Sequence, residues 1–411
     1  MVKIAVSTRE SSVTEKSPAA ALRAPLLDLK PQYERIAART RAAIEAVCAS
    51  QHFILGSQVK TLEERLAAYT QTRHGIGVSS GTDALLLALM ALDIGPGDAV
   101  VTSPYTFFAT AGTIARTGAR PLFCDIEPET FNLSPRALRE WIDGQCERRA
   151  GALVHRASGT RVKALMPVHL YGQVCLMEPL LALAREAGLA VIEDAAQAIG
   201  ARDALGRQAG SFGDIGCFSF FPTKNLGAFG DAGLCVAQDD ALAEHLRVLR
   251  VHGGKPKYHH AFIGGNFRID ELQAAVLNVK LDYLEEWSHR RAANARLYDA
   301  AFAQAGLTGQ VTVPTALAGF HHIYNQYVIR VRQRDALRDW LASCGVGTEI
   351  YYPIPLHLQQ CFAYLGHRAG EFPESERAAL ETLALPIYPE LAPEQLHYVV
   401  ERIAAFYARS A

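Results

Sequence analysis

The chain has 411 residues, 49% of them hydrophobic and 20% charged, which is enough for a large domain and a smaller one with buried cores. A formal net charge of -1 gives no electrostatic case for nucleic acid or an anionic membrane surface, and no apolar run reaches the ~18 residues of a membrane span. The eight cysteines are scattered without a CxxC pair, as expected of reduced residues in a cytoplasmic protein rather than a metal or disulfide framework.

Residues 1–24 lack the apolar stretch of a secretory signal and read as a flexible N-terminal extension. Amphipathic helices are expected from Glu34 to Cys48 and from Val59 to Tyr69. Short apolar runs then alternate with helical segments: "GIGVSS" before "GTDALLLALMALDI", "DAVVTSPYTFF" before "ATAGTIARTG", then "RPLFCDI". "VKALMPVHL" follows, then a helix from Leu176 to Ala187, then "LAVIEDA". This alternation predicts a mostly parallel sheet covered on both faces. The basic stretch at residues 144–162 reads as a surface loop. From Asp270 to about residue 306 the pattern is one long helix, a spine between lobes. The strand "YNQYVIRV", a helix from Asp335 to Ser343 and a closing helix from Pro393 suggest a smaller α+β domain. The expected division is 1–24 extension, 25–269 large domain, and 270–411 connecting helix with the small domain.

Ligands of such sheets bind beyond the carboxyl ends of the strands, so the residues there carry the argument. "VSSGTDALLLAL" places Gly81 and Thr82 at a helix start, which suits a phosphate but equally suits a plain N-cap. "VIEDAAQA" ends an apolar strand in Glu193 and Asp194, carboxylates that call for a cationic partner, with Gln197 three residues on. In "SPYTFFAT", Phe107 or Phe108 offers a flat face. "CFSFFPTKNLGAFGD" holds one cation, Lys224, among four phenylalanines, with Ser219 five residues upstream as a second phosphate donor. A buried ammonium costs free energy unless it is paired, neutralised or used. Together these positions call for a ligand with a phosphate, a protonatable ring nitrogen, a flat ring and an electrophile for an amine. Pyridoxal phosphate has all four, with Lys224 as the Schiff-base amine.

These stretches, with "PLLDLKPQY", "PVHLYGQ", "GGNFRIDELQAAVL" and "YYPIPLHLQ", resemble the DegT-type sugar aminotransferases, a branch of the fold-type I pyridoxal phosphate enzymes. The resemblance implies a large domain with a mostly parallel mixed sheet and a smaller C-terminal α+β domain. It implies that Lys224 forms the Schiff base and moves a proton, Asp194 pairs with the pyridine nitrogen, and Gln197 lies near the ring hydroxyl. Phe107 would stack on the ring, while Gly81, Thr82 and Ser219 would hold the phosphate. Asn266 would reach the phosphate of a neighbouring protomer, making a homodimer with shared sites. Tyr351, Tyr352, His357 and Arg268 would face the sugar. Related sugar 3-dehydratases carry histidine at the lysine position, so Lys224 favours aminotransfer. The implied reaction moves an amino group from L-glutamate, through pyridoxamine phosphate, to a keto nucleotide sugar, with C3 favoured. The alternatives are a cyclitol or 4-keto sugar, or a regulatory protein that keeps the fold without catalysis.

The pairs His259-His260 and His321-His322 are not expected to bind a metal. Adjacent side chains diverge, and no acidic residue or cysteine stands at ligand spacing beside them.

Overall fold

The computed structural model describes residues 22–410, so all but the last three residues of the expected extension lie outside the described residues. Ala24, at its inner end, is buried and bridges Val346.

The first half of the chain lays down nine strands. They are β1 (His74–Val78), β2 (Asp98–Thr102), β3 (Arg120–Phe123), β4 (Cys146–Arg149), β5 (Ala152–His155), β6 (Arg161–Met166), β7 (Ala190–Asp194), β8 (Ile215–Ser219) and β9 (Gly233–Ala237). These form one nine-stranded sheet whose main path is β1-β9-β8-β7-β6-β2-β3, and along that path only β9 runs antiparallel to its neighbours. Residues 144–162, expected as a loop, instead form the β4–β5 hairpin. Leu153 and Val154 are buried there, and β5 pairs with β6. The apolar "ALV" within the basic run supplies that strand.

Helices α1 (Lys30–Ser50), α2 (Ser57–Tyr69), α3 (Gly81–Ala91), α4 (Phe108–Arg116), α5 (Pro135–Gln145), α6 (Met177–Ala187) and α7 (Asp240–Leu249) flank this sheet. Period-2 alternation splits the strand residues between two cores. Val191 and Phe218 join the cluster of α2 and α6, whereas Ile192 and Cys217 join that of α3 and α7. Helix α3 is apolar almost all round because it lies buried. Ser80 caps it by accepting the Asp83 N–H at 3.0 Å.

The single long helix expected from Asp270 is two: α8 (Glu271–Leu281) and α9 (Leu284–Gln304). At the junction the Tyr283 N–H bonds back only three residues, to the Lys280 carbonyl, and Asp282 is gripped by Arg39 and Arg65. Those arginines tie the end of α8 to α1 and α2, and α9 contributes to a second core. That core packs α9, α10 (Arg334–Ser343) and α12 (Pro393–Ser410) against a three-stranded antiparallel sheet. Its strands are β10 (Val311–Thr312), β11 (Tyr327–Val331) and β12 (Thr382–Leu385), with α11 (Pro373–Glu381) leading into β12.

Candidate active site

The carboxyl ends of β1, β7 and β8 open into a cavity of about 470 Å³. Gly81, Thr82, Phe107, Asp194, Gln197, Ser219, Lys224, Tyr351 and Tyr352 all line it. Residues from five separate stretches of sequence thus meet where the sheet predicts a ligand.

Lys224 sits in the turn after β8. Its backbone N–H donates to the Phe221 carbonyl at 2.9 Å. The turn closes on Gly227, where an added Cβ would lie 2.3 Å from the Pro222 carbonyl oxygen, so no larger residue fits. Of the four phenylalanines, Phe218 and Phe220 are core, while Phe221 and Phe229 remain exposed. Burial lowers the Lys224 amine to about 8, and the charge of Asp194 resists that shift. Asp194 in turn is raised by burial. The Thr110 hydroxyl at 2.7 Å, the Ala196 N–H at 3.2 Å and the Lys224 charge oppose this rise. The Lys224 charge thus acts on Asp194 across the cavity they share, without a direct bond between them. Neighbouring Glu193 needs no cation. It accepts N–H groups from Gly210, Phe212 and Gly213 and the Nε2 hydrogen of His169, whose Nδ1 accepts the Cys175 N–H.

The opposite wall is the start of α3. A Cβ on Gly81 would stand 2.5 Å from Ser219 Cβ, so glycine lets the helix N-terminus meet β8. The free N–H groups of the first turn and the Thr82 and Ser219 hydroxyls make an anion-binding corner. Phe107, not Phe108, lines the cavity; Phe108 packs on Phe362. Gln197 Oε1 accepts the Tyr171 N–H, and its Nε2 donates to the Tyr352 hydroxyl, both at 2.7 Å. Tyr352 is thereby held against Gln197, with its ring stacked on Tyr171 at 6.2 Å.

Three residues named from the sequence lie elsewhere. His357 is fully buried, with Nε2 3.1 Å from Glu376 and its ring against Phe372, so it supports packing and offers no face to a sugar. Arg268 and Asn266 bond to each other at 2.7 Å outside the cavity. His169, which its strand-end position in "PVHLYGQ" offers as either a ring contact or a satisfied structural histidine, is held between Glu193 and the Cys175 N–H and does not line the cavity; the sequence suggests no role for Thr110. The only signal for Thr110 was its position one helical turn after Phe107.

One of the paired histidines does have an acidic neighbour. His321 meets Glu285 and His289 of α9, their ligand-type atoms all within 4.8 Å, so an acidic neighbour comes from a distant segment. Arg202 and the Tyr69 hydroxyl already bond Glu285, and the guanidinium charge occupies the place of a cation.

An amine of lowered pKa, an opposed carboxylate and an anion-binding helix start fit pyridoxal phosphate at its aldehyde, ring nitrogen and phosphate. Residues 34–404 match the DegT/DnrJ/EryC1/StrS aminotransferase family. The chain is 48% identical to a "Pleiotropic regulatory protein" of Geobacillus stearothermophilus, over 93% of this chain and 98% of that one. It is 42% identical to the UDP-N-acetyl-3-dehydro-alpha-D-glucosamine 3-aminotransferase of Acidithiobacillus ferrooxidans, over 90% and 95% of the two chains. Its fold matches the crystal structure of DesV from Streptomyces venezuelae in complex with a ketimine intermediate. The TM-score is 0.86 with 39% identity, covering 93% and 98%. Fold, cavity chemistry and likeness agree: the chain belongs to the DegT/DnrJ/EryC1/StrS family of pyridoxal phosphate-dependent aminotransferases.

Proposed function

We propose that this aminotransferase moves an amino group from L-glutamate to C3 of a keto sugar carried on a nucleotide, working as a cytoplasmic homodimer. The observation that carries the chemistry is that the Lys224 amine and the Asp194 carboxylate line one cavity with a helix start. The amine is lowered to about 8 and shares its cavity with a carboxylate and a helix start. The 3-aminotransferase relative supports the C3 position.

When bound, pyridoxal phosphate supplies an aldehyde for amines and a ring that accepts electrons as a C–H proton leaves. The chain does the rest. Lys224 Nζ, its pKa lowered by burial to about 8, takes that proton from the donor carbon and returns one to the sugar side. Asp194, oriented by Thr110 and the Ala196 N–H, would set a negative charge against the ring nitrogen. Phe107 would cover the ring, and Gly81, Thr82 and Ser219 would hold the phosphate. Tyr351 and Tyr352, on the same cavity, would meet the sugar.

The relative named as a regulatory protein favours a second reading, in which the fold is kept without turnover. One experiment separates the two. Purified protein loaded with cofactor is expected to be yellow, to lose that colour with L-glutamate, and to regain it when a 3-keto nucleotide sugar follows. A loaded protein that stays yellow with every amino donor tried refutes the enzyme reading.

A further inference from the structure

Helix α9 opens with two side chains on one face. Glu285 and His289 stand four residues apart, one turn along the helix, and His289 Nε2 lies 3.9 Å from Glu285 Oε2. His321 reaches them from the segment between β10 and β11. One ligand-type atom from each of the three lies within 4.8 Å of the other two. Adjacent histidines do diverge here: His322 is buried and stacks on Tyr324 at 3.9 Å, while His321 meets α9.

Among the described residues, neither the His289 nor the His321 side chain makes a hydrogen bond, and His321 Nε2 is buried without a partner. A buried ring nitrogen left so calls for one. The backbone holds His321 in place. Its N–H donates to the Arg202 carbonyl at 2.9 Å, and its carbonyl accepts the Arg202 N–H at 3.2 Å. Arg202 then reaches Glu285, where the guanidinium and the Tyr69 hydroxyl both bond Oε1. The guanidinium therefore stands in for a cation at Oε1 alone. Oε2 is left facing His289, its direction fixed by the two donors on the other oxygen. Carboxylates that ligate metals are themselves held by hydrogen bonds in this way.

Because the guanidinium offsets the carboxylate charge, donor strength rather than net charge decides which ion suits the three groups. Two imidazoles and one carboxylate oxygen suit zinc, nickel, copper or cobalt. They offer little to magnesium or calcium, which take oxygen ligands. A tetrahedral zinc ion with ligands ~2.1 Å away sets them roughly 3.4 Å apart. The Glu285–His289 pair is already near that, and the His289 side chain, 66% exposed, is free to close the rest.

We propose that Glu285, His289 and His321 form a binding site for a divalent transition-metal ion of the zinc type. The site is separate from the cofactor cavity, which none of the three lines. Beyond His289, α9 runs into the second core, whereas Ile323, two residues after His321, belongs to the first. An ion at this point pins the root of α9 to the segment that enters β11. It stabilises the folded chain without taking part in turnover.

The test uses full-length, untagged, cofactor-loaded protein, stripped of metal with a chelator. Zinc is added in a calorimeter, and cobalt is followed by its visible absorbance. One ion per chain at micromolar concentration is expected, with a higher melting temperature, the cobalt bands of a tetrahedral nitrogen–oxygen site, and no response to magnesium. His289→Ala changes an exposed helix position, so the fold is kept, and zinc affinity should fall at least tenfold. His321→Ala should show the same loss, and a metal-free melting temperature equal to wild type certifies that variant as folded. Zinc bound only at millimolar concentration overturns the proposal. So does binding that His289→Ala leaves unchanged, or a cobalt spectrum with thiolate charge-transfer bands, which assigns the ion to a cysteine such as the exposed Cys361.

Discussion

At the level of single residues, the site is governed by how Asp194 stays ionised. Burial pushes its carboxyl up, and the Thr110 hydroxyl is the strongest group opposing that rise. Thr110→Val removes a donor 2.7 Å from Oδ2 and leaves a buried carboxylate less satisfied. Because Asp194 is charged only above its pKa, losing this bond moves the acidic limb of the activity profile to higher pH. Turnover at pH 7 should fall on the order of tenfold. Thr110→Ser, which restores the hydroxyl, should recover both limb and rate. A rate loss with an unmoved acidic limb would mean that Thr110 only packs α4. The sequence pointed to Asp194 and Lys224 through strand-end position and the cost of burying charge. It could not point to Thr110, because the partner stands 84 positions away and hydroxyls at helix starts are common.

Among elements, α8 has a task that its sequence pattern conceals. Lys280 is buried, and Nζ donates to the Gly227 carbonyl at 2.6 Å while facing the Phe229 ring at 5.2 Å. Gln273, two turns earlier, accepts the Phe229 N–H and donates to the Phe229 carbonyl. The helix therefore clamps the turn that carries Lys224. Burial lowers Lys280 from 10.5 to about 8. A cation whose folded pKa is depressed opposes folding fully below the folded value, and that penalty vanishes as pH rises through the unfolded one. A shift of this size corresponds to about 3 kcal/mol. Lys280→Met should thus cost little stability at pH 7, or raise it, and lose that advantage between pH 8 and 10.5. Its turnover should fall nonetheless, because the clamp is released. Urea unfolding of cofactor-free protein at pH 7 and pH 10, beside kcat, checks both halves. A variant that is less stable by the same amount at both values would show that Lys280 is merely a packed side chain. The α8–α9 break belongs to the same scale. Apolar periodicity runs through Asp282 undisturbed, so the break shows only in the grip of the arginines of α1 and α2 on that residue.

For the whole molecule, the sheet was legible because parallel strands buried on both faces leave continuous apolar runs. The β4–β5 hairpin was hidden because its charged strand faces solvent. The assignment of Asn266 differs in kind, since within one chain it lies outside the cavity and pairs with Arg268. Phe107, Phe221 and Phe229 are 60%, 49% and 44% exposed around the catalytic turn, an apolar rim that suits cover by a second copy. If Asn266 serves the partner's phosphate corner, each site needs Lys224 from one chain and Asn266 from the other. Lys224→Ala alone should be inactive, and Asn266→Ala alone should bind cofactor weakly. Refolding the two together at equal amounts makes half of the dimers mixed. In each mixed dimer one of the two sites combines an intact Lys224 with an intact Asn266, so activity should return to roughly a quarter of wild type. Sites built within single chains cannot be repaired this way. Mixtures no more active than the sum of their parents would assign Asn266 to its own chain, where its bond to Arg268 would be its whole role.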